Sequence, residues 1–65
     1  MADAKEWYEL HELAHEWGVP VTRIRITVAN LEAIGAIQTR DRPGDRRFKQ
    51  VSSGSLDTLR KAIGL

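Results

Sequence analysis

A chain of 65 residues with no cysteine has room for one small domain and excludes both a disulfide framework and a Cys-based metal site. A domain of this size buries only about 60% of the surface its unfolded chain exposes, which leaves little for an enclosed catalytic cleft and favours binding over chemistry. The net charge of +1 is too small to name a partner, no apolar run approaches the ~20 residues of a membrane span, and the polar start Met1-Ala-Asp-Ala-Lys-Glu6 is unlike a signal sequence, so the expectation is one soluble, cytoplasmic domain over residues 1–65 with no membrane partner.

Trp7-Tyr8 supplies either a short strand or a hydrophobic staple ahead of the first helix. That helix is legible over Leu10–Trp17: at 100° per residue Leu10, Leu13, Ala14 and Trp17 fall in one stripe, while Glu12 and Glu16 point away. Gly18 ends it as the residue after the cap. A second helix starts after Val19-Pro20, where proline suits a first turn, and its stripe is Val21, Ile24, Val28, Leu31 and Ile34, with Gly35 as the stop. Thr22, Arg25, Ile26, Ala29 and Asn30 occupy the opposite face or its borders, and Arg23 lies at the near edge of the same surface.

Two short alternating segments, Ile37–Asp41 and Arg46–Val51, flank Arg42-Pro43-Gly44-Asp45, where proline presets φ and glycine accepts φ > 0, so a β-hairpin is predicted. Arg40, Arg42, Arg46, Arg47 and Lys49 then project from one narrow ribbon. Ser52-Ser53-Gly54-Ser55 makes a turn too short for a domain boundary. The last helix, Ser55–Ile63, has Ser55 as a capping residue, Asp57 in its first turn, Leu56, Leu59 and Ile63 as its stripe, and Gly64 as its stop.

The small net charge conceals a partition along the chain. Residues 1–17 set Lys5 against Asp3, Glu6, Glu9, Glu12 and Glu16, whereas residues 18–51 set Arg23, Arg25, Arg40, Arg42, Arg46, Arg47 and Lys49 against Glu32, Asp41 and Asp45. One side of the molecule should therefore be electropositive. A solvated hairpin needs charge to keep its edges from pairing with other chains, but lysine or mixed signs would serve equally well. Arginine excess at a tip points to an anion, and duplex DNA is the leading partner. Glu9, Glu12 and Glu16 read as a solvated face turned from DNA or as an anchor for a basic partner.

His11-Glu12-Leu13-Ala14-His15 spells the His-Glu-x-x-His string of zinc proteases, in which imidazoles at i and i+4 share a helix side and the glutamate activates a metal-bound water. The chain has no other histidine to complete a ligand set, and Glu32 falls on the second helix. The string reads as coincidence, with both histidines flanking and partly exposed. Neither a Gly-rich phosphate loop nor a Ser/His/Asp set is present. The expectation is no enzyme, no metal and no cofactor, with Trp17 and Phe48 in the core.

The segment Leu10-His-Glu-Leu-Ala-His-Glu-Trp-Gly-Val19, continued by Ile24 and Leu31, resembles the helix-turn-helix pattern of apolar, Ala and Gly positions. Leu31-Glu-Ala-Ile-Gly-Ala-Ile37, followed by Pro43-Gly-Asp45-Arg46-Arg47 and Val51-Ser52, looks like the wing signature of MarR-type regulators, Asp-x-Arg included. The length and closing helix are similar to those of small phage excisionases and MerR-like DNA-binding domains. The resemblance covers roughly residues 8–53. It departs at Glu9, where such proteins usually have Ser or Thr as N-cap, at Thr27, which replaces an apolar residue, and in lacking the long flanking helices of MarR-type dimers.

The resemblance implies an α+β, mostly helical fold: a winged helix-turn-helix with a two-stranded wing and a C-terminal helix. It makes residues 20–34 the recognition helix in the major groove, with Thr22, Arg25, Ile26 and Ala29 facing base edges and Asn30 beside them. Arg25 suits a bidentate contact to guanine, worth about 1–3 kcal/mol of discrimination, and Ile26 suits a thymine methyl. Arg23, Thr22 and the helix-start amides would hold phosphates. Asp45 would pair with Arg47 and leave Arg42 and Arg46 for the backbone or minor groove, with Arg40 and Lys49 completing the basic ribbon. The implied function is sequence-specific binding of double-stranded DNA as a small transcriptional regulator. The alternatives are an excisionase-like, DNA-bending recombination factor and a winged-helix module for protein partners, for which exposed Ile26 is the best hint. Trp7, Tyr8, Leu59 and Leu65 would either supply a small homodimer contact or finish the monomer core, and a larger protein partner stays open as well.

Overall fold

A computed structural model describes residues 5–65, so Asp3 and the first part of the polar start lie outside the described residues. In chain order the elements are β1 (Trp7–Glu9), α1 (Leu10–Trp17), α2 (Val21–Ala33), β2 (Thr39–Arg42), β3 (Asp45–Ser52), a 3-10 turn (Ser53–Ser55) and α3 (Leu56–Ile63). Among the described residues this makes three α-helices on a three-stranded antiparallel sheet of order β1-β3-β2, about half of the chain being helical. Among the same residues no helix is long and apolar enough to cross a membrane.

The helices begin and end where local chemistry allows. Glu9 stands at the N-cap of α1, and its backbone N–H donates to the Glu12 carboxylate at 3.2 Å, which satisfies an amide that helix geometry leaves unpaired. Gly18 adopts φ 66°, and the Val19 N–H donates to the Ala14 carbonyl at 3.0 Å, closing α1 with the left-handed residue that a side chain would disfavour. The Pro20 carbonyl then accepts from the N–H groups of Arg23 and Ile24 and starts α2 at the next residue, Val21.

The stripes meet in one core of Leu13, Ala14, Ile24, Val28, Ile37, Val51, Leu59 and Ile63, against which Tyr8, Leu10, Trp17, Val19, Val21, Leu31 and Leu56 pack. Trp7-Tyr8 resolves as a strand: β1 pairs with β3 in the register Trp7↔Ser52, Tyr8↔Val51, Glu9↔Gln50. This pairing ties the beginning of the chain to its centre and makes β3 the middle strand. Thr27, the unusual polar residue of α2, is satisfied because its hydroxyl donates to the Arg23 carbonyl at 2.8 Å.

Three local expectations change. Ile34 belongs to the core stripe by spacing, but α2 stops at Ala33 and Ile34, at φ −98° and ψ 6°, swings out to 76% exposure. Ser55 makes no side-chain cap on α3; buried, it accepts from the Gln38 N–H at 2.8 Å and hydrogen-bonds the Ser52 hydroxyl, joining the approach to β2 with the start of α3. The strands are shifted toward the turn: Ile37 packs in the core but precedes β2, and the reversal narrows to Pro43-Gly44, with Gly44 at φ 82°.

Candidate functional site

The outward face of α2 is uncovered. Thr22, Arg23, Arg25, Ile26, Ala29 and Asn30 are all exposed, as is Ala33 one turn further on. They face outward for the reason that Ile24 and Val28 face inward: burial of one stripe leaves its opposite in water. Arg23 nevertheless has an internal task. Its guanidinium donates to the carbonyl of Ile63, the last residue of α3, which pairs a cation with the negative end of that helix.

The β2–β3 hairpin owes its shape to a register irregularity. Asp41 pairs with Lys49, but the next pair is Arg42 with Asp45, so β2 advances one residue while β3 advances four. Arg46, Arg47 and Phe48 are thereby expelled from the ladder, and a bulge of this kind bends the strand and redirects its side chains. All three are exposed. Asp45 holds the base of the bulge by accepting from both the backbone N–H and the Nε of Arg47 at 3.1 Å. The Asp45–Arg47 pairing is the one the resemblance implied, and Arg47 still leaves 83% of its side chain in solvent.

Arg42 is not free. Its Nε donates to the Glu9 carboxylate at 2.8 Å, its Nη2 donates to the other oxygen, and its guanidinium lies over the Phe48 ring, 4.2 Å from the centroid. Glu9 therefore does not belong to a solvated acidic face; it buckles the hairpin to the junction of β1 and α1. Glu12 is likewise engaged, with the ammonium of Lys5. Arg40 donates to Gln50 Oε1 at 2.8 Å and stacks over Trp7 at 4.5 Å, and Lys49 donates to Glu32 at 2.7 Å across the gap to α2, where Thr39 also hydrogen-bonds Glu32. Phe48, expected in the core, is instead 36% exposed and lies between Arg42 and Arg47.

The carboxyl groups record these contacts. The Arg42 hydrogen bond holds Glu9 below the usual carboxylate range against the opposing effect of desolvation. Lys49 and Thr39 do the same for Glu32, as Arg47 does for Asp45 and Lys5 for Glu12. Arg42 is raised in turn by Glu9.

Between α2 and the hairpin runs an open groove of about 400 Å³, walled by Arg25, Val28 and Ala29 on one side and by Arg47, Phe48 and Lys49 on the other, with Leu10 and His11 of α1 at its end. Arg25 and Arg46 have no hydrogen-bonding or ion-pairing partner among the described residues. Glu9 also lines the groove, with its carboxylate engaged by Arg42, and the groove can accept an extended anionic chain because cations lie on both walls, with Val21, Val28 and Phe48 supplying apolar lining. His11 and His15 are both exposed on α1, and among the described residues no three His, Cys, Asp or Glu side chains converge as a metal site requires. The residues missed from sequence are the braces Glu9, Glu32, Gln50 and Trp7. Glu9 and Arg42 are 33 positions apart, and no local pattern announces their meeting.

No family model, curated protein or solved structure matches this chain.

Proposed function

We propose that the chain is a winged helix-turn-helix domain that binds duplex DNA sequence-specifically, as a small transcriptional regulator. In this reading α2 enters the major groove, and the hairpin is the wing that lays Arg46 and Arg47 on the adjoining backbone or minor groove. The supporting observation is the groove itself, which brings Arg25 of α2 opposite Arg47 and Lys49 of β3 while the outward face of α2 stays uncovered. A phosphate backbone along the hairpin wall meets Arg47 and Lys49. Arg25 reaches base edges from the α2 side, where its fork matches guanine.

A labelled duplex titrated at increasing salt tests the reading. Phosphate contacts from Arg46 and Arg47 alone give a slope of about −2 in log K against log salt, and contacts from the start of α2 steepen it. Arg46→Ala with Arg47→Ala lowers affinity on every sequence, while Arg25→Ala relaxes sequence preference. Sequences enriched from a random pool form palindromes with half-sites about 10–10.5 base pairs apart for a dimeric regulator, and tandem sites for a bending factor. Absence of duplex binding at low salt, or an affinity indifferent to salt, overturns the proposal.

A further inference from the structure

We infer that the outward face of α2 selects thymine through its 5-methyl groups, so that the preferred duplex is rich in A·T pairs with a guanine at one edge; this rests on the DNA-binding reading above. Thr22, Ile26, Ala29 and Ala33 recur at three- and four-residue spacing and form a single exposed stripe along the helix. Ile26 stands at its centre with 58% of its surface in solvent. The only hydrogen-bonding group in the stripe is the Thr22 hydroxyl, and every other atom presented is aliphatic carbon.

In the major groove the 5-methyl of thymine is the one alkyl group that a base pair displays; apart from the C5–H of cytosine, the other groups there are donors or acceptors. Setting Ile26 against a donor or acceptor would strip water from a polar atom and return no hydrogen bond, which is unfavourable. Setting it against a methyl buries apolar surface on both sides. The small side chains of Ala29 and Ala33 let the helix approach closely enough for that contact.

The borders of the stripe complete the preference. Arg25, on the groove side, has the fork that fits guanine, and Asn30, on the opposite border, has the amide that fits adenine, the partner of thymine. Arg23, which would otherwise be a second cation beside the stripe, is held by the Ile63 carbonyl. The reading surface is thus apolar at its centre and polar only at its two margins.

The test compares, at low salt, a duplex of repeating d(TTG)·d(CAA), which has two A·T pairs to each guanine, with the same duplex carrying uracil in place of thymine, a change that removes only the methyl. The thymine duplex binds tighter by about four-fold for each methyl buried. Ile26→Ala brings the thymine duplex down to the uracil duplex, and Ile26→Leu keeps the difference; circular dichroism checks that both variants are folded. Equal, salt-dependent binding of the two duplexes overturns methyl selection and leaves DNA binding standing. Discrimination that survives in Ile26→Ala overturns the assignment to this face. Binding of neither duplex overturns both readings and leaves the stripe to a protein partner.

Discussion

α2 and the β2–β3 hairpin form facing walls of one groove, yet they are held by different forces. α2 is anchored by Ile24 and Val28, which are 0% and 1% exposed. The hairpin tip has no apolar anchor of that kind: Arg42 is clasped by Glu9, Lys49 by Glu32 and Arg47 by Asp45, with Phe48 lodged between two guanidiniums. Apolar burial is not screened by salt and does not depend on carboxyl protonation, whereas partly exposed ion pairs are screened and are lost when the carboxylate is protonated. The helical wall therefore has a fixed pose and the hairpin wall an adjustable one. In the proposed complex a phosphate can take the place of Glu9 at Arg42, because both are anionic oxygen acceptors suited to the same guanidinium fork.

Loss of the apolar anchor should have the largest effect. Ile24→Ala should destabilise the whole domain by about 2–5 kcal/mol. Urea unfolding followed by tryptophan fluorescence measures it, and a loss confined to α2, with the sheet intact, would refute a shared core. Gly44→Ala comes next, at about 1 kcal/mol, since a side chain is strained at φ 82° in the two-residue turn. Its effect should concentrate in the hairpin, read as faster amide exchange at Asp41 and Lys49 than in α2.

Acidification separates the walls more finely. Glu9, Glu32 and Asp45 have carboxyls depressed below their ordinary range. A depressed folded pKa contributes stability that is complete above the unfolded values of about 3.9–4.3 and is lost as pH falls through the folded value. Below about pH 4 the hairpin should therefore loosen before α2 does. Carboxyl carbon shifts followed by NMR should give midpoints below those of free Glu and Asp, with amide exchange rising first in β2 and β3. The smallest effect is that of Glu9→Gln. At neutral pH it should speed exchange in the hairpin, leave α2 unchanged, and remove Glu9's share of the acid response. A uniform change across the molecule would contradict an adjustable wall on a fixed one.

Periodicity and turn chemistry carried much of this architecture in the sequence. The 3.6-residue stripes of Leu10–Trp17, of Val21–Leu31 and of Leu56–Ile63, and the stops at Gly18, Gly35 and Gly64, are local properties, because each depends on neighbours within a turn or two. The exposed face of α2 followed from the same stripes by opposition. The fate of individual charges did not follow. Arg42, Lys49, Arg40 and Arg23 are alike in sequence, all cations on a ribbon or a helix border, and their partners Glu9, Glu32, Gln50 and the Ile63 carbonyl lie 33, 17, 10 and 40 positions away. Which cations stay open to solvent depends on distances that exist only after the strands pair and the helices dock. The four-for-one register step that expels Arg46, Arg47 and Phe48 is of the same kind, since a bulge belongs to two strands at once. Where the helices run and which face of each is wet can be read from residue spacing alone; which arginines remain available cannot, because an ion pair requires two groups that only folding brings together.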